Sequence, residues 1–113
     1  MLSKIILIGG GGHCHACIDV IESTQQYEIL GILDTKDKAH QKVLGYNIIG
    51  DDDDIPNLIS DEVSFLITVG HIKSPKIRKK IFDNLLKNNA KILWRMYRSI
   101  VESESEQSLC TER

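Results

Sequence analysis

The chain has 113 residues and a mass of 12.8 kDa, which is one domain's worth of sequence. Hydrophobic residues make up 42% and charged residues 27%, as in ordinary globular proteins, and eight glycines and two prolines exclude a collagen-like or low-complexity chain. No apolar run approaches the roughly 18 residues of a membrane-spanning helix, and the first apolar run is too short for a secretory signal. Three cysteines do not form a secreted disulfide framework, so we expect a cytoplasmic protein without membrane contact.

The net charge of −2 conceals an uneven distribution along the chain. Residues 1–70 carry four Lys/Arg and 11 Asp/Glu, whereas residues 71–98 carry nine Lys/Arg and a single aspartate. A basic segment can face nucleic acid, but more commonly it is the solvent face of an amphipathic helix. Few aromatic residues interleave with these charges, so we expect no nucleic-acid partner.

Short apolar runs rich in β-branched residues predict strands at 4–8, 28–33, 46–49 and 64–69, with a fifth at 92–94. Helices are predicted from residue 13 to about 23, from about 56 to 59, and from 74 to about 87. In the first helix, Cys14, Cys17, Ile18 and Ile21 share one face. The third helix has Ser74 and Pro75 as its start signal, an inward face of Ile77, Ile81, Phe82 and Leu85, and Asn88-Asn89 as its left-handed cap.

Alternating strands and helices predict an α/β fold, a small doubly wound parallel sheet of four to five strands ordered 3-2-1-4-5 with helices on both faces. We expect residues 1–93 to form this Rossmann-like domain. Residues 94–113 have no apolar face of useful width, so we expect them to be disordered unless a partner orders them. Four aspartates precede the short second helix, where they suit the positive end of its dipole.

A run of four glycines, residues 9–12, joins the first strand to the first helix. Glycines let the backbone approach a phosphate, and the helix dipole favours an anion there, although such a turn can also serve only close packing. The dinucleotide fingerprint G-x-G-x-x-G would use Gly9, Gly11 and position 14, but that position is Cys14. The turn therefore predicts phosphate binding without specifying a dinucleotide.

Two side chains flank this turn. Asp34 ends the second strand, where a carboxylate accepts hydrogen bonds from a ribose or a base edge, or simply caps a turn. His13 stands at the mouth of the turn. A histidine there can donate a hydrogen bond to a phosphate or act as an acid or base, and the alternative is that it serves only in capping or packing.

An ordered series of segments resembles the N-terminal domain of bacterial sugar O- and N-acyltransferases of the sialic acid O-acetyltransferase NeuD and PglD type. The segments are LIGGGGH (7–13), IDVI (18–21), GILD (31–34), LGY (44–46), GD (50–51), ITVGHIKSP (67–75) and RKKIF (78–82). The resemblance covers about residues 3–92. It implies a Rossmann-like domain that binds the sugar acceptor, which is a nucleotide sugar or a sialic-acid-type sugar.

The resemblance also implies roles for individual residues. Gly9, Gly11 and Gly12 would admit the acceptor's phosphates, and His13 would lie near the acceptor end of the site. Asp34 would contact the base or ribose. On the opposite side, Gly70 would line the wall and Lys73 would add a phosphate contact. Two positions depart from the family pattern, Cys14 for a smaller residue and Thr35 for a second acidic residue.

In that family a C-terminal left-handed β-helix binds acetyl-CoA, supplies the catalytic base and forms trimers. After Lys91 this sequence shows no six-residue repeat, which suggests a frameshift or truncation near residue 93. We therefore expect that this chain binds no cofactor itself and holds no catalytic residue beyond an accessory role of His13. The trimer of the family does not carry over to this chain, because it forms largely through the β-helix. Sequencing the gene downstream of the stop codon tests the hypothesis.

Three other functions compete with acceptor binding. A nucleotide- or dinucleotide-binding regulatory module would share the fold and the glycine turn. Thiol redox chemistry is suggested by C-x-x-C at a helix start, although both cysteines also fit the buried face. A metal site would need His13, His15 and Cys17 to converge, which alternate positions on a helix hinder, so we expect no metal.

Overall fold

The computed structural model describes residues 2–38, 41–68 and 75–93. Strands and helices alternate along most of this length. The elements are β1 (Ser3–Ile8), α1 (Gly12–Thr24), β2 (Tyr27–Leu33), β3 (Lys42–Val43), β4 (Tyr46–Gly50), α2 (Ile55–Leu58), β5 (Val63–Ile67), α3 (Pro75–Lys87) and β6 (Lys91–Ile92). Two 3₁₀ turns, Lys36–Lys38 and Asp52–Asp54, lie in the connections after β2 and β4.

The sheet is ordered β3-β4-β2-β1-β5-β6, and every neighbouring pair except β3–β4 is parallel. The five parallel strands therefore follow the predicted order 3-2-1-4-5, and the α/β fold class is confirmed. β1 lies at the centre of the parallel strands, between β2 and β5, and buries apolar residues on both faces. β1 thereby separates the β2–β4 half of the sheet from the β5–β6 half.

The prediction of four to five parallel strands did not include the antiparallel edge strand β3, which the structure shows. Its two residues pair with β4 through a two-residue turn at Leu44 and Gly45, whose φ angles are +51° and +91°. Positive φ at both central positions is the geometry of a type I′ hairpin, which normally carries Asn-Gly. Because leucine is an unusual residue there, the sequence predicts a loop rather than a hairpin.

Two hydrophobic cores lie on opposite faces of the sheet, because successive residues of a strand point to opposite sides. Ile5 and Leu7 of β1 pack on the side of α1, whereas Ile6 and Ile8 pack on the side of α3. The first core also holds the predicted α1 face, Cys14, Cys17, Ile18 and Ile21, all essentially inaccessible to solvent. This face is confirmed.

Helix α3 covers the second core through Ile81 and Leu85, with Phe82 half-buried at its margin. After its last turn Asn89 adopts φ +58°, and Ala90 N donates to Leu85 O at 3.0 Å, which is the predicted left-handed termination. The predicted cap at Ser74, the side chain of Ile77 and the predicted tail 94–113 lie outside the described residues. None of the helices in the described ranges is long and apolar enough to span a bilayer.

Candidate functional site

The connection between β1 and α1 lies at the point where the strand order reverses. β1 ends at Ile8 and α1 begins at Gly12, so only three residues join them. β2 pairs with one edge of β1, and β5, which the chain reaches from β4, pairs with the other edge, so the strand order reverses at β1. In doubly wound sheets this reversal opens a crevice at the carboxyl ends of the strands, where ligands bind.

Both neighbouring strands hold the start of this turn in place. Gly9 N donates to Leu33 O at 2.8 Å, and Gly10 N donates to Asp34 Oδ2 at 3.0 Å, so two bonds come from the β2 side. From the β5 side, the buried Thr68 hydroxyl donates to Gly9 O, with 2.6 Å between the oxygens. Gly9 has φ +112°, a conformation that L-residues with side chains rarely adopt. The turn is therefore a fixed element of the fold.

Gly11 is the N-cap residue of α1 and faces open space. Its φ and ψ are −82° and −160°, and a Cβ built there meets no atom of the described residues within 4 Å. Among those residues no side chain caps this helix end, and its first turn contains no acidic residue. Cys14 N in the first turn donates to Gly11 O at 3.0 Å, and the helix dipole at this end favours negative charge. This helix start can accept a phosphate without displacing a side chain cap.

Asp34 connects the turn to the end of β2. Its Oδ2 accepts from Gly10 N at 3.0 Å, and its Oδ1 accepts from Thr35 N at 2.8 Å. Both carboxylate oxygens are thus engaged with backbone N–H groups, although each oxygen keeps a second lone pair. The charge of Asp34 is directed at the turn that precedes α1.

An acidic cleft of about 370 Å³ opens beyond Asp34, at the carboxyl ends of β2 and β4. Its lining residues are Asp34, Thr35, Lys36, Asp51, Asp52 and Asp53. Lys36 Nζ lies 3.8 Å from Asp51 Oδ2 and 4.0 Å from Asp53 Oδ2. Burial raises the pKa of Asp52 above its usual range, the charge of Asp51 adds to the shift, and Lys80 opposes it. The cleft carries net negative charge and disfavours a phosphate inside it.

The aspartates also have a local structural function. Asp51 Oδ1 accepts from Asp53 N at 2.9 Å, and Asp54 Oδ2 accepts in return from Asp51 N at 2.9 Å. This reciprocal arrangement is a capping box, and it begins the turn that leads into α2. The aspartates predicted to lie before the second helix thus cap the 3₁₀ turn that precedes α2, whereas Asp54, the N-cap residue of α2, makes no side-chain cap with the described residues.

Cys14 occupies the third fingerprint position, and its thiol is buried in the first core. Burial raises the pKa of Cys14 to about 11; a hydrogen bond with Thr68 opposes this shift, and the charge of Asp34 adds to it. An activated redox thiol has a lowered pKa instead. Cys17 is also fully buried, so the C-x-x-C pattern here contributes packing.

The structure brings four of the predicted binding residues together, namely Gly9, Gly11, Gly12 and Asp34. His13 lies in the first turn of α1, as its position in the sequence requires, but its side chain is outside the described set. Gly70 and Lys73 also fall outside it. Within the described ranges no three His, Cys, Asp or Glu side chains converge to hold a metal ion.

Sequence reasoning missed two residues of the site. Gly10 places its N–H against Asp34, and a Cβ there would lie 2.9 Å from Asp34 Oδ2. Thr68 is the single buried polar residue among those described, and it follows the apolar residues 65–67 of β5. That break in an apolar run is the signal that could have identified Thr68, since a buried hydroxyl needs a partner.

The sequence model of the PglD N-terminal domain matches residues 4–85, which is most of the chain. The chain belongs to this family. The expected resemblance is thereby confirmed for its PglD branch. No curated protein sequence shows recognisable similarity to the chain.

Solved acetyltransferase structures share the fold of this PglD N-terminal domain. Perosamine N-acetyltransferase from Caulobacter crescentus, in complex with CoA and GDP-perosamine, is 24% identical with a TM-score of 0.64; the match covers 80% of this chain and 40% of that one. The acetyltransferase domain of PglB from Neisseria gonorrhoeae, in complex with acetyl coenzyme A, is 23% identical with a TM-score of 0.61, covering 80% and 42%. The chain thus spans about two fifths of the length of these relatives.

A Rex-family repressor has a similar fold. RSP, a Rex-family repressor, in complex with beta-NADH is 14% identical with a TM-score of 0.60, and the match covers 79% of this chain and 43% of that one. At this identity the likeness concerns the fold alone. The PglD N-terminal domain is therefore an acetyltransferase-related domain with a Rossmann-like α/β fold.

Proposed function

We propose that this PglD N-terminal domain binds the nucleotide-sugar acceptor of an acetyl-CoA-dependent sugar acetyltransferase. The observation that carries the proposal is the glycine turn, fixed from both neighbouring strands and open at Gly11. Family membership supports an acetyltransferase context, and the Caulobacter relative was solved with the nucleotide sugar GDP-perosamine. A sialic-acid-type acceptor, which the resemblance to the NeuD branch implies, belongs to the same proposal.

In this proposal the diphosphate lies at the start of α1, against Gly9, Gly11 and Gly12. The net negative charge of the cleft beyond Asp34 supports this placement, because it repels a phosphate from the β2 and β4 ends. His13 orients the sugar at the mouth of the turn. Gly70 and Lys73 complete the opposite wall, as the family resemblance implies.

Acetyl transfer needs groups beyond those in this site. In the family, as the resemblance implies, a separate β-helix binds acetyl-CoA and supplies the base. We therefore propose acceptor binding as the function of this domain, with acetyl-CoA as the cofactor of the complete enzyme. A cytoplasmic location fits such an enzyme, because acetyl-CoA and nucleotide sugars are made there.

A regulatory dinucleotide-binding module is the second candidate, because the Rex-family repressor with beta-NADH shares the fold. Cys14 argues against it, since a glycine is expected at this fingerprint position. The two functions differ in the ligand that the glycine turn accepts.

Isothermal titration calorimetry with GDP-mannose, UDP-N-acetylglucosamine, CMP-sialic acid, NAD⁺ and CoA separates these functions. We expect at least one nucleotide sugar to bind, and CoA and NAD⁺ to bind at least tenfold more weakly. Gly11→Leu should block binding while the domain stays folded, because its added side chain projects into open space. Ser3→Leu adds a similar exposed side chain at the opposite end of β1 and should leave binding intact. Binding of NAD⁺ alone, or of none of the five, would refute the proposal.

A further inference from the structure

Asp34 stands where dinucleotide-binding folds place the carboxylate that accepts the ribose hydroxyls, at the end of β2. Its hydrogen bonds here go elsewhere. Oδ2 accepts from Gly10 N at 3.0 Å and Oδ1 from Thr35 N at 2.8 Å, so each oxygen already has a backbone donor. These charge-assisted hydrogen bonds to backbone N–H groups fix the orientation of Asp34 toward the turn, and a ribose hydroxyl would have to compete with them or use the second lone pair of an oxygen.

The bond from Gly10 also has a steric basis. A Cβ on Gly10 would lie 2.9 Å from Asp34 Oδ2 and 3.4 Å from side-chain carbons of Val43 and Ile48. Asp34 therefore packs directly over a residue that has to be glycine for this contact to exist. The two apolar side chains lie on the same side of Gly10 as the carboxylate, so a side chain at this position would be crowded by all three residues.

We propose that Asp34 is the positioning residue of the phosphate-binding turn, and that the site recognises a nucleotide without reading its ribose hydroxyls through Asp34. The inference rests on the proposed function. In this proposal Gly10 N binds the Asp34 carboxylate, and the phosphates bind at the N–H groups at the start of α1. It also removes the ribose contact by which such folds select dinucleotides.

The hydrogen bonds themselves are tested by amide hydrogen exchange followed by NMR. In the wild-type domain the amides of Gly10 and Thr35 should exchange slowly, and both should lose protection in Asp34→Ala. The amide of Gly9 donates to Leu33 O, independently of Asp34, and serves as the internal control. Unchanged protection of Gly10 in Asp34→Ala would overturn the proposal.

The functional role is tested by a cycle that combines a protein change with a ligand change. GDP and UDP are titrated into wild-type and Asp34→Asn protein, alongside their 2′,3′-dideoxy analogues. We expect Asp34→Asn to weaken each nucleotide by about tenfold, the effect of one charge-assisted hydrogen bond. The ratio between a nucleotide and its dideoxy analogue should stay the same within about twofold, because Asp34 does not touch the ribose.

Two further variants make the cycle decisive. Asp53→Asn removes the same charge from the same cleft without touching the turn, and should leave affinity unchanged. Gly10→Ala disturbs the contact from the other side. This variant should weaken the affinity for each nucleotide and for its dideoxy analogue by the same factor. It replaces Asp34→Asn in the cycle if that variant does not fold.

Three outcomes count against the inference or its premise. A wild-type preference of tenfold or more for ribose over dideoxyribose that disappears in Asp34→Asn would assign Asp34 to the ribose. Equal affinity of wild type and Asp34→Asn for all four ligands would remove the positioning role. If neither GDP nor UDP binds the wild-type protein and no nucleotide sugar does, the proposed function fails instead, while the exchange data still decide whether Asp34 holds the turn.

Discussion

Replacing Gly11 with aspartate should stabilise the fold and weaken the proposed phosphate site at the same time. Gly11 already has the extended backbone of an N-cap, its Cβ position is open, and α1 has no side-chain cap. Aspartate would accept a hydrogen bond from the first turn and complement the dipole, and it would restrict the unfolded chain. Together these effects are worth about 1 kcal/mol, or about 4 °C in Tm for a domain of this size.

The same carboxylate would repel the ligand. A phosphate at the start of α1 would lie roughly 5 Å from it, and at an effective dielectric constant of about 20 to 60 two unit charges repel by about 1 to 3 kcal/mol. This corresponds to a roughly 5- to 150-fold weaker affinity. Gly11→Asn is the matched control, because it offers a cap of nearly the same shape without the charge.

The assay measures urea unfolding and nucleotide-sugar binding for wild type, Gly11→Asn and Gly11→Asp. The difference in affinity between the two variants should shrink as salt increases from about 20 mM to about 500 mM, because the repulsion is screened. Equal affinity of the two variants at low salt would show that no anion binds at this turn. A loss of stability in both variants would show that Gly11 is not the N-cap residue of α1.

The remaining predictions concern the cores and the titrating side chains. Leu85→Ala should cost about 2–5 kcal/mol in urea unfolding, whereas Leu86→Ala at the exposed neighbouring position should change stability by no more than about 0.5 kcal/mol; equal effects would contradict the packing of α3. Burial raises the pKa of Cys14 from 9.0 to about 11, so the folded state binds the thiol proton more tightly than the unfolded state does. The resulting contribution to the free energy of unfolding is fully present below pH 9 and disappears as the pH rises toward 11. Cys14→Ala should reduce this loss of stability between pH 9 and 11, and an unchanged dependence of stability on pH would contradict the prediction. Tyr46 Oη donates to Glu22 Oε2 at 2.6 Å, and this bond raises the pKa of Tyr46, so Glu22→Gln should lower the midpoint of its absorbance titration; an unmoved midpoint would exclude the bond.

Several features of the fold follow directly from local sequence patterns. Mainly apolar runs at 4–8 and 64–69 predict the central strands, because a strand buried on both faces needs apolar residues on both of them. The spacing of Cys14, Cys17, Ile18 and Ile21 predicts the buried face of α1. The two asparagines after α3 predict its left-handed termination, which Asn89 provides.

Other features depend on contacts between residues far apart in the chain. The β3–β4 hairpin places Leu44 in a left-handed conformation, and no local preference of leucine favours it. Thr68 is separated by 59 residues from the Gly9 carbonyl that accepts its hydroxyl proton. Such partners become visible only when the parallel pairing of β1 and β5 brings them together.

For the candidate site, the sequence alone determined that a glycine turn follows the first strand and that an acidic residue ends the second. Both depend on residue type and position, which local patterns report well. Only the tertiary structure decided where the carboxylate of Asp34 points, because it is the register between β1 and β2 that places Gly10 N within 3.0 Å of it. A carboxylate bonds to whichever donors the fold brings within reach, and the linear sequence does not show those donors.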